Sequence, residues 1–349
     1  MHLLTYRRLA VASASVLALA GLAAGPASAA SSGAASGVLV TAAAQSCGAS
    51  TRLITPKSGV IESGADEAAL AAALSVPADD PVLLHAEARH SHWLSSITCK
   101  IMPGTHSALS AAGNATPADT NGPSPNWAGY EAATPDPDFV EGEWNVPSVG
   151  SPPGDVSQYS STWVGIGGDA NPSAGQPAGE LVQAGTEQDS LCTVIVHGAC
   201  GAEATQYYAW YEQDPYENEV EISNMTISPG DDIWASDGTT DNETYPAICD
   251  DTTNVCVDPT QTLAAAPGDS SEWIVERSEV SGAFPPLADF GTVTFADSSE
   301  TWYEGGVATT PQEAGATAYD MYNGSDLLAN TGPLDASGQG FTVTYDASE

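Results

Sequence analysis

Lysine and arginine are nearly absent from most of this 349-residue chain. There are seven Lys and Arg against 45 Asp and Glu, and Arg277 is the only basic residue of either kind after Lys100. Nucleic acids and anionic membrane surfaces are bound by basic patches. The composition therefore excludes nucleic acid and membrane lipid as expected partners.

The shortage of cations exceeds what solubility requires. Solubility explains a surplus of acids, but it does not explain the loss of Lys and Arg. Below about pH 3 carboxylates are neutral, and an ordinary protein is left with dozens of cations that repel one another. From residue 121 onward this chain would keep only Arg277, His197 and a new amino terminus. This pattern predicts a protein that works in acid.

The motifs of common hydrolases are missing as well. The sequence has no Gly-x-Ser-x-Gly, no His-Glu-x-x-His and no Asp-Thr-Gly, and His197 is its only histidine after residue 121. No Cys-x-x-Cys and no paired histidine accompanies the cysteines, so we expect no metal or other cofactor. Catalysis in such a chain would depend on carboxyl or amide groups, and a carboxyl near its pKa can act first as a base and then as an acid.

The amino terminus has the features of a secretion signal. Arg7 and Arg8 precede the apolar run from Leu9 to Gly25, and Ala27-Ser28-Ala29 fits a small-residue cleavage site. The run is too short for a membrane span, and no other stretch reaches 18 apolar residues. We predict a signal peptide at residues 1–29 and a secreted, extracellular protein.

The cysteines divide evenly between the early and the late part of the chain. An even number in each part is expected if each part closes its own disulfides in an oxidising compartment. Short spacing favours two pairs, Cys192–Cys200 and Cys249–Cys256, as links within hairpins. The remaining cysteines are Cys47 and Cys99.

Residues 30–120 are predicted to form a partly helical pro-segment and a linker. Ala65–Leu74 and Val82–Trp93 have helix formers with spaced apolar positions, and Pro117–Pro125 has the composition of a linker. An independent domain is the alternative, but the secretion signal ahead and the change in charge behind favour a pro-segment that inhibits the rest of the chain.

Three histidines of this early segment have two interpretations. They are either solvated residues of helix surfaces, or part of a pH-sensitive latch that holds the acidic body until acid removes its charge. These histidines are His85, His90 and His92.

Residues 121–349 have an all-β pattern. Short segments rich in β-branched and aromatic residues alternate with Gly, Pro, Asn and Asp at intervals of about 8–15 residues. This length and pattern predict one β-sandwich domain. The segments are 142–146, 161–166, 205–211, 220–227, 273–275, 291–295 and 341–345.

Several short motifs in this part, taken in order, resemble the glutamic peptidases, also called eqolisins or peptidase family G1. The similarity runs from about residue 126 to the end of the chain. The motifs are NWAGY (126–130), VEGEWNVPSV (140–149), STWVGIGGD (161–169), ELVQAGTE (180–187), YYAWYEQDP (207–215), EWIVE (272–276) and ADFGTVTF (288–295).

The resemblance implies a concanavalin-A-like sandwich of two antiparallel sheets and a catalytic Gln–Glu pair. Carried over by motif, the pair is Gln183 in LVQAG and Glu276 in EWIVE. Glu276 would activate water and return the proton to the leaving nitrogen, while Gln183 would donate to the oxyanion. Taken alone, Gln183 would be an ordinary hydrogen-bonded strand residue and Glu276 an exposed one.

The resemblance also implies four substrate-binding residues lining the cleft. Without it, the tryptophans would be assigned to the core and the glutamate to the surface. They are Trp127, Trp163, Trp210 and Glu212.

Two departures from the family pattern stand near the predicted site. Gly167 replaces an aspartate common after WVGI, and Asp169 follows two places on. The loop 167–180 borders the predicted cleft, so the substrate residues that this loop favours are not predicted. Arg277 follows Glu276 where many relatives have aspartate. Alternation along a strand predicts that Arg277 points away from Glu276 and forms an ion pair on the other face, with neighbours of Glu272 or with Asp289.

The function predicted is that of a monomeric, pepstatin-insensitive acid endopeptidase acting on proteins or peptides. A carbohydrate-binding or glycoside-hydrolysing sandwich is the alternative, although glycosidases need two acids about 5–10 Å apart. A catalytically inactive binding protein is a third, which the intact Gln183 and Glu276 argue against.

Overall fold

A computed structural model describes most of the chain beyond residue 37. The signal peptide predicted at residues 1–29, Asp169 and most of the loop 167–180 lie outside the described residues. Those described are 38–42, 45–48, 51–61, 64–74, 80–109, 121–134, 137–151, 156–168, 180–240, 242–265, 267–301 and 308–346.

Helices are few and short in the described part of the chain. They are α1 (Gly64–Leu74), α2 (Pro81–Arg89) and α3 (Pro311–Ala314), with a 3-10 turn at Gln45–Cys47. None of the helices in the described ranges is long and apolar enough to cross a membrane.

The second predicted helix, Val82–Trp93, ends earlier than expected. Asp80 caps its first turn by accepting from the backbone N–H of Val82 at 3.0 Å. At the other end His90 adopts a left-handed conformation with φ 52°, which stops the helix, and the chain continues as a strand at His92–Trp93.

Strands make up the rest of the regular structure. Those before residue 110 are β1 (Val38–Ala42), β2 (Arg52–Pro56), β3 (His92–Trp93), β4 (Cys99–Ile101) and β5 (Gly104–Thr105). Those after residue 120 are β6 (Gly122–Ser124), β7 (Trp127–Ala132), β8 (Phe139–Asn145), β9 (Ser161–Ile166), β10 (Leu181–Val196), β11 (Ala199–Asp214), β12 (Val220–Thr226), β13 (Asp232–Gly238), β14 (Glu243–Thr244), β15 (Ala247–Asp250), β16 (Val255–Val257), β17 (Pro259–Thr262), β18 (Ser271–Glu276), β19 (Glu279–Val280), β20 (Thr292–Thr301), β21 (Thr317–Asn323), β22 (Asp326–Thr331) and β23 (Phe341–Tyr345).

The strands form two large sheets, which confirms the predicted β-sandwich. The first, called here the cleft sheet, has the order β12–β11–β10–β9–β18–β7–β21. The second, called the covering sheet, has the order β23–β20–β8–β13–β15–β16. All neighbours within these orders are antiparallel, and β22 pairs with both β21 and β23.

Apolar side chains from both sheets fill the space between them. Val164, Val182 and Val275 of the cleft sheet belong to the same buried cluster as Ile233 and Phe295 of the covering sheet. Because side chains alternate along a strand, this leaves the opposite face of the cleft sheet free to carry a different set of residues.

Tryptophans also join the sheets through hydrogen bonds. The indole N–H of Trp144 donates to the hydroxyl of Thr186 at 3.0 Å, and that of Trp273 donates to the carbonyl oxygen of Glu141 at 2.7 Å. A buried indole N–H usually has a hydrogen-bond partner, and for these two tryptophans the partner comes from the facing sheet.

The early segment extends both sheets at their edges. Strand β4 pairs with β12 of the cleft sheet, and β3 pairs with β16 of the covering sheet. Strands β1 and β2 form a separate sheet with β17 and β14. The predicted linker Pro117–Pro125 is wrong in its last part, because β6 within it pairs with β21.

Three disulfides are present. Cys47–Cys99 joins two residues of the early segment that are 52 positions apart. The other two are Cys192–Cys200 and Cys249–Cys256, the short-spaced pairs. No disulfide among the described residues links the early segment to the body.

Candidate active site

The face of the cleft sheet that points away from the core carries the predicted site residues. Gln183 on β10 lies directly opposite Glu212 on β11, and Glu276 on β18 lies opposite Trp127 on β7. Directly paired residues share a face of the sheet, and so do residues two apart along a strand. Trp163 and Trp210 fall on this same face by register.

Glu276 is completely buried and held by donors on both oxygens. Trp163 Nε1 donates to its Oε2 at 2.9 Å, and Asn126 Nδ2 donates to its Oε1 at 3.3 Å. Burial raises the pKa of Glu276 above its usual range, and interactions with His106, Ser107 and Asn126 oppose part of that rise. Without the family resemblance, Glu276 is predicted to be an exposed strand residue. That prediction is wrong, because the side chain is buried.

Gln183 is also completely buried, and its amide points into the cleft. Its Nε2 donates to the backbone carbonyl oxygen of His106 at 3.0 Å and lies 3.4 Å from Oε2 of Glu212. A neutral amide in this position can donate to an oxygen that gains negative charge.

Glu212 supports the same region from the next strand. Its carboxyl accepts from the backbone N–H of His106 at 2.8 Å and from the hydroxyl of Thr105. Burial raises the pKa of Glu212 well above its usual range, and His106 and Thr105 oppose that rise. The glutamate is buried in the cleft, so an assignment to the surface is wrong.

A piece of the early segment, residues 104–109, occupies the cleft. Gly104–Thr105 pairs antiparallel with Glu279–Val280, and the N–H of Leu109 donates to the carbonyl oxygen of Gly168 at 3.1 Å. Between these ends, Trp127 Nε1 donates to the carbonyl oxygen of Ser107 at 3.1 Å. We call residues 104–109 the cleft segment.

The imidazole of His106 enters a pocket beside Glu276. Its ring is completely buried and stacks on Trp210, with centroids 3.8 Å apart and planes 15° apart. Nδ1 lies 3.4 Å from Glu276 Oε2, while Nε2 lies 3.4 Å from Glu219 and 3.7 Å from Glu187. Burial lowers the pKa of His106, but the interactions with Glu219 and Glu276 outweigh it, so that the pKa is raised well above its usual range.

The floor of this pocket is acidic. Burial raises the pKa of Glu187 well above its usual range, and it raises that of Asp189 to about 8. Ser278 donates to Glu187 at 3.2 Å, and a cavity of about 180 Å³ lined in part by Glu187, Asp189, Tyr208 and Ser278 adjoins the pocket. The pocket can therefore hold an imidazolium or take up protons.

No pattern in the sequence predicts the residues of this pocket. His106, Glu187 and Glu219 come together although they are 32 to 113 positions apart. His106 was the last histidine before the predicted linker, in an uncharged stretch from Pro103 to Leu109, and that position was the one signal available.

The other early histidines contribute differently. His90 and His92 are exposed. His85 is not, since its ring stacks on Trp234 with centroids 4.4 Å apart and its Nε2 lies 3.1 Å from Oδ1 of Asp251. The interpretation of all three histidines as solvated surface residues is therefore wrong for His85.

Arg277 lies outside the cleft. Its guanidinium donates to the backbone carbonyl oxygens of Phe284 and Pro285, which fastens the loop after β19. The ion pair expected for Arg277 stays a prediction.

Gly167 is required by the backbone at the end of β9. Its φ is 89°, and a Cβ there would stand 2.3 Å from the carbonyl oxygen of Glu180. An aspartate at this position would need a different backbone, which accounts for the departure from the family pattern.

Two sets of three side chains have ligand atoms within 4.8 Å of one another, a spacing that a metal ion could bridge. In both sets the histidine already contacts carboxylates at ion-pair distance, so the spacing has an explanation without an ion. The sets are His106, Glu187 and Glu219, and His85, Glu143 and Asp251.

Known proteins match this chain over the part that contains the candidate site. The profile of the peptidase A4 family matches residues 125–345. Aspergillopepsin-2 from Aspergillus niger is 31% identical over 246 residues, which cover 64% of this chain and 78% of that protein.

Solved structures match it too. Scytalido-glutamic peptidase with a transition state analog inhibitor superposes with a TM-score of 0.50 at 25% identity, covering 63% of this chain and 98% of that one. Aspergilloglutamic peptidase from Aspergillus niger has a TM-score of 0.43 at 29% identity and covers 54% of this chain and 99% of that one.

Proposed function

The chain belongs to the peptidase A4 family and is a glutamic peptidase, a hydrolase of peptide bonds; we propose that it is a secreted endopeptidase that works in acid through Gln183 and Glu276. The observation that carries this proposal is that both residues contact the peptide unit between His106 and Ser107. The amide of Gln183 donates to the carbonyl oxygen of His106, and Oε1 of Glu276 lies 3.2 Å from the nitrogen of Ser107.

The first step is the attack of water on the carbonyl carbon. Glu276, as a carboxylate, takes a proton from the water while the water oxygen bonds to that carbon. The carbonyl electron pair moves onto the oxygen, and the Gln183 amide N–H donates to the resulting oxyanion. Loss of such a donor costs about 2.7–4 kcal/mol in other hydrolases.

The second step breaks the bond between carbon and nitrogen. Glu276 now carries the proton and stands beside the nitrogen, so it can protonate the leaving amine. The products are one carboxylic acid and one amine, and Glu276 returns to the carboxylate. One carboxyl thereby serves both steps, which suits residues 121–349, where His197 is the only histidine.

The position of the base is fixed by its neighbours. Trp163 and Asn126 each hold one oxygen of Glu276, and Glu212 holds the backbone on the amino-terminal side of the peptide unit. The raised pKa of Glu276 makes its carboxylate a stronger base towards the attacking water.

The division of the chain into segments accords with the proposed peptidase function. We propose residues 1–29 as the signal peptide, 30–120 as the inhibitory pro-segment and linker, and 121–349 as the catalytic domain of a monomeric extracellular enzyme. The cleft segment supports an inhibitory role, because residues 104–109 fill the space that a protein or peptide substrate would need. Three disulfides are consistent with an oxidising compartment.

Hydrolysis of denatured casein or haemoglobin at about pH 3–4, with and without pepstatin, tests the proposal. We expect pepstatin to leave the rate unchanged, and Glu276→Gln and Gln183→Ala each to lower kcat by at least about a hundredfold. Glu203→Gln on the exposed end of β11 is the control for loss of a carboxylate. If Glu276→Gln kept more than a few per cent of wild-type turnover, the catalytic pair would be wrong.

A further inference from the structure

The cleft segment lies across the catalytic pair as a substrate would, with one particular bond at the reacting position. We propose that the precursor cuts itself between His106 and Ser107, and that the pocket around His106 makes the enzyme prefer histidine on the acyl side of the bond it cuts. The proposal rests on the function proposed above and adds to it a cleavage site and a substrate preference.

Hydrogen bonds define the position of the backbone along the cleft. Before the bond, Glu212 accepts from the N–H of His106. After it, Trp127 and Asn126 donate to the carbonyl oxygen of Ser107 at 3.1 and 3.2 Å. When an extended peptide binds, hydrogen bonds to its main chain give affinity and pockets for its side chains give specificity.

The two catalytic groups meet opposite ends of this one peptide unit. The Gln183 amide is 3.0 Å from the oxygen of His106, and Glu276 Oε1 is 3.2 Å from the nitrogen of Ser107. Hydrolysis would add the water oxygen to the His106 carbonyl carbon and break its bond to the Ser107 nitrogen. The products would be a carboxylic acid at His106 and an α-amino group at Ser107.

The side-chain pocket is matched to an imidazole in shape and in charge. A flat ring is needed to stack on Trp210 at 3.8 Å, and the two ring nitrogens reach carboxyl groups on opposite sides. Phenylalanine could stack there, but it would place no positive charge beside Glu219 and Glu276. Buried charged groups left without an opposite charge are costly, and this cost gives a site its selectivity.

Acidic groups surround the ring from several strands of the cleft sheet. Glu187 comes from β10, Glu212 from β11, Glu276 from β18 and Glu219 from the residue before β12, while Tyr208 lies on the adjoining wall. Together the contacts with Glu219 and Glu276 outweigh the effect of burial on the pKa of His106, so the pocket favours a cation.

Cleavage at this bond would also release the body of the enzyme. Both cysteines of the Cys47–Cys99 disulfide precede His106, and the other two disulfides lie wholly after it. No covalent link among these three would hold the amino-terminal product to the catalytic domain, so it could leave the cleft.

The first experiment follows the full-length precursor through acid activation. Mass spectrometry of early time points should find the cut between His106 and Ser107 before any trimming further along, and the Glu276→Gln precursor should remain uncut. Casein hydrolysis is measured in the same samples. Active enzyme whose first cut lies elsewhere would overturn this proposal alone, whereas absence of both activities would overturn the proposed function.

The second experiment does not depend on folding of a precursor variant. Acid-activated enzyme is given a synthetic peptide with the sequence of residues 102–111, and peptides with phenylalanine or glutamine at the position of His106. We expect kcat/KM at about pH 4 to fall at least tenfold with phenylalanine, and about twofold or less with the control change Ala108→Ser.

A variant of the pocket completes the test. Glu219→Gln should reduce the ratio of the kcat/KM values for the histidine and phenylalanine peptides, because Glu219 meets Nε2 of the ring. Equal kcat/KM for these two peptides with the unaltered enzyme would contradict the proposed preference.

Discussion

The indole N–H of Trp163 donates to Glu276 Oε2 at 2.9 Å, the shortest hydrogen bond to that carboxyl among the described contacts. Two glycines make room for this indole. Gly165 lies two residues further along β9, Gly185 lies opposite on β10, and a Cβ on Gly185 would stand 2.5 Å from the Cβ of Trp163. The indole thus orients the carboxyl that we propose as the catalytic base.

We therefore expect Trp163→Phe, which keeps an aromatic ring, to lower kcat by roughly ten- to a hundredfold. A hydrogen bond to a charged group contributes about 1.5–3 kcal/mol, and its loss also raises the pKa of the carboxyl. The acid limb of the pH profile should move to higher pH. Trp127→Phe is the comparison, because its N–H meets the cleft-segment backbone, so KM should change more than the profile.

A second prediction concerns stability against pH. Asp258 is completely buried, and burial raises its pKa to about 7, with Thr260 opposing the rise. A raised folded pKa means that the native state binds more protons than the unfolded state between about pH 4 and 7. The stability contributed by this group is full below the unfolded pKa of about 4 and is lost as pH rises through about 7.

Thermal melts of the uncut Glu276→Gln precursor, with and without Asp258→Asn, check this sign. We expect the protein to melt at a higher temperature at pH 4 than at pH 7.5. Asp258→Asn should narrow this difference by raising the melting temperature at pH 7.5. The free energy of unfolding at pH 7.5 should increase by on the order of 1 kcal/mol or more, since each pKa unit is about 1.4 kcal/mol. A parent precursor that is more stable at pH 7.5 would show that the sign is wrong.

The disulfide Cys47–Cys99 gives a third prediction. It closes a loop of 52 positions within the early segment, and a loop of that size corresponds to about 4 kcal/mol in the chain-entropy description. The double change to serine should loosen the segment in the precursor and speed its cleavage by an added protease at neutral pH. After activation, the melting temperature of the mature enzyme should match that of the parent.

Changing both Cys192 and Cys200 to serine is the matched control. This pair links the exposed end of the β10–β11 hairpin, so its loss should leave the early segment as resistant to proteolysis as before. Equal sensitivity of the two double variants would argue that the Cys47–Cys99 link does not order the segment.

Asp251 provides a fourth prediction, because it holds helix α2 against the body. Its two oxygens lie 3.1 Å from His85 Nε2 and 3.1 Å from Arg89 Nη2. Asp251→Asn should increase amide hydrogen exchange within residues 81–89 of the precursor. The exposed Asp326→Asn, at the start of β22, should leave that exchange unchanged. No increase with Asp251→Asn would mean that the stacking of His85 on Trp234 suffices.

Strand positions could be predicted where the local pattern was strong. The predicted strand 161–166 coincides with β9, and the predicted helix at Ala65–Leu74 differs from α1 by one residue. The length of the β10–β11 hairpin was missed, since its end is exposed and has no buried pattern to mark it. A single left-handed residue, His90, ended the second helix early, and nothing in the local pattern marks such a residue.

Some residues of the candidate site could be predicted from the sequence and others could not. Gln183 and Glu276 were found through short motifs, and register then puts them on one face of the cleft sheet. The contacts of His106 join residues that are distant in sequence, and they depend on how the early segment crosses the sheet. Spacing along a chain carries no information on such a crossing, so the pocket and its occupant could be recognised only in three dimensions.

The strands β3 and β4 have a further consequence for the enzyme after activation. They complete the outer edges of both sheets, and their departure would leave rows of backbone N–H and C=O groups unpaired at β16 and β12. This would happen in acid, where the carboxylates have lost the charge that keeps molecules apart at neutral pH. The colloidal behaviour of the mature enzyme should therefore be least favourable in the conditions in which it works, with strand-to-strand association increasing with concentration.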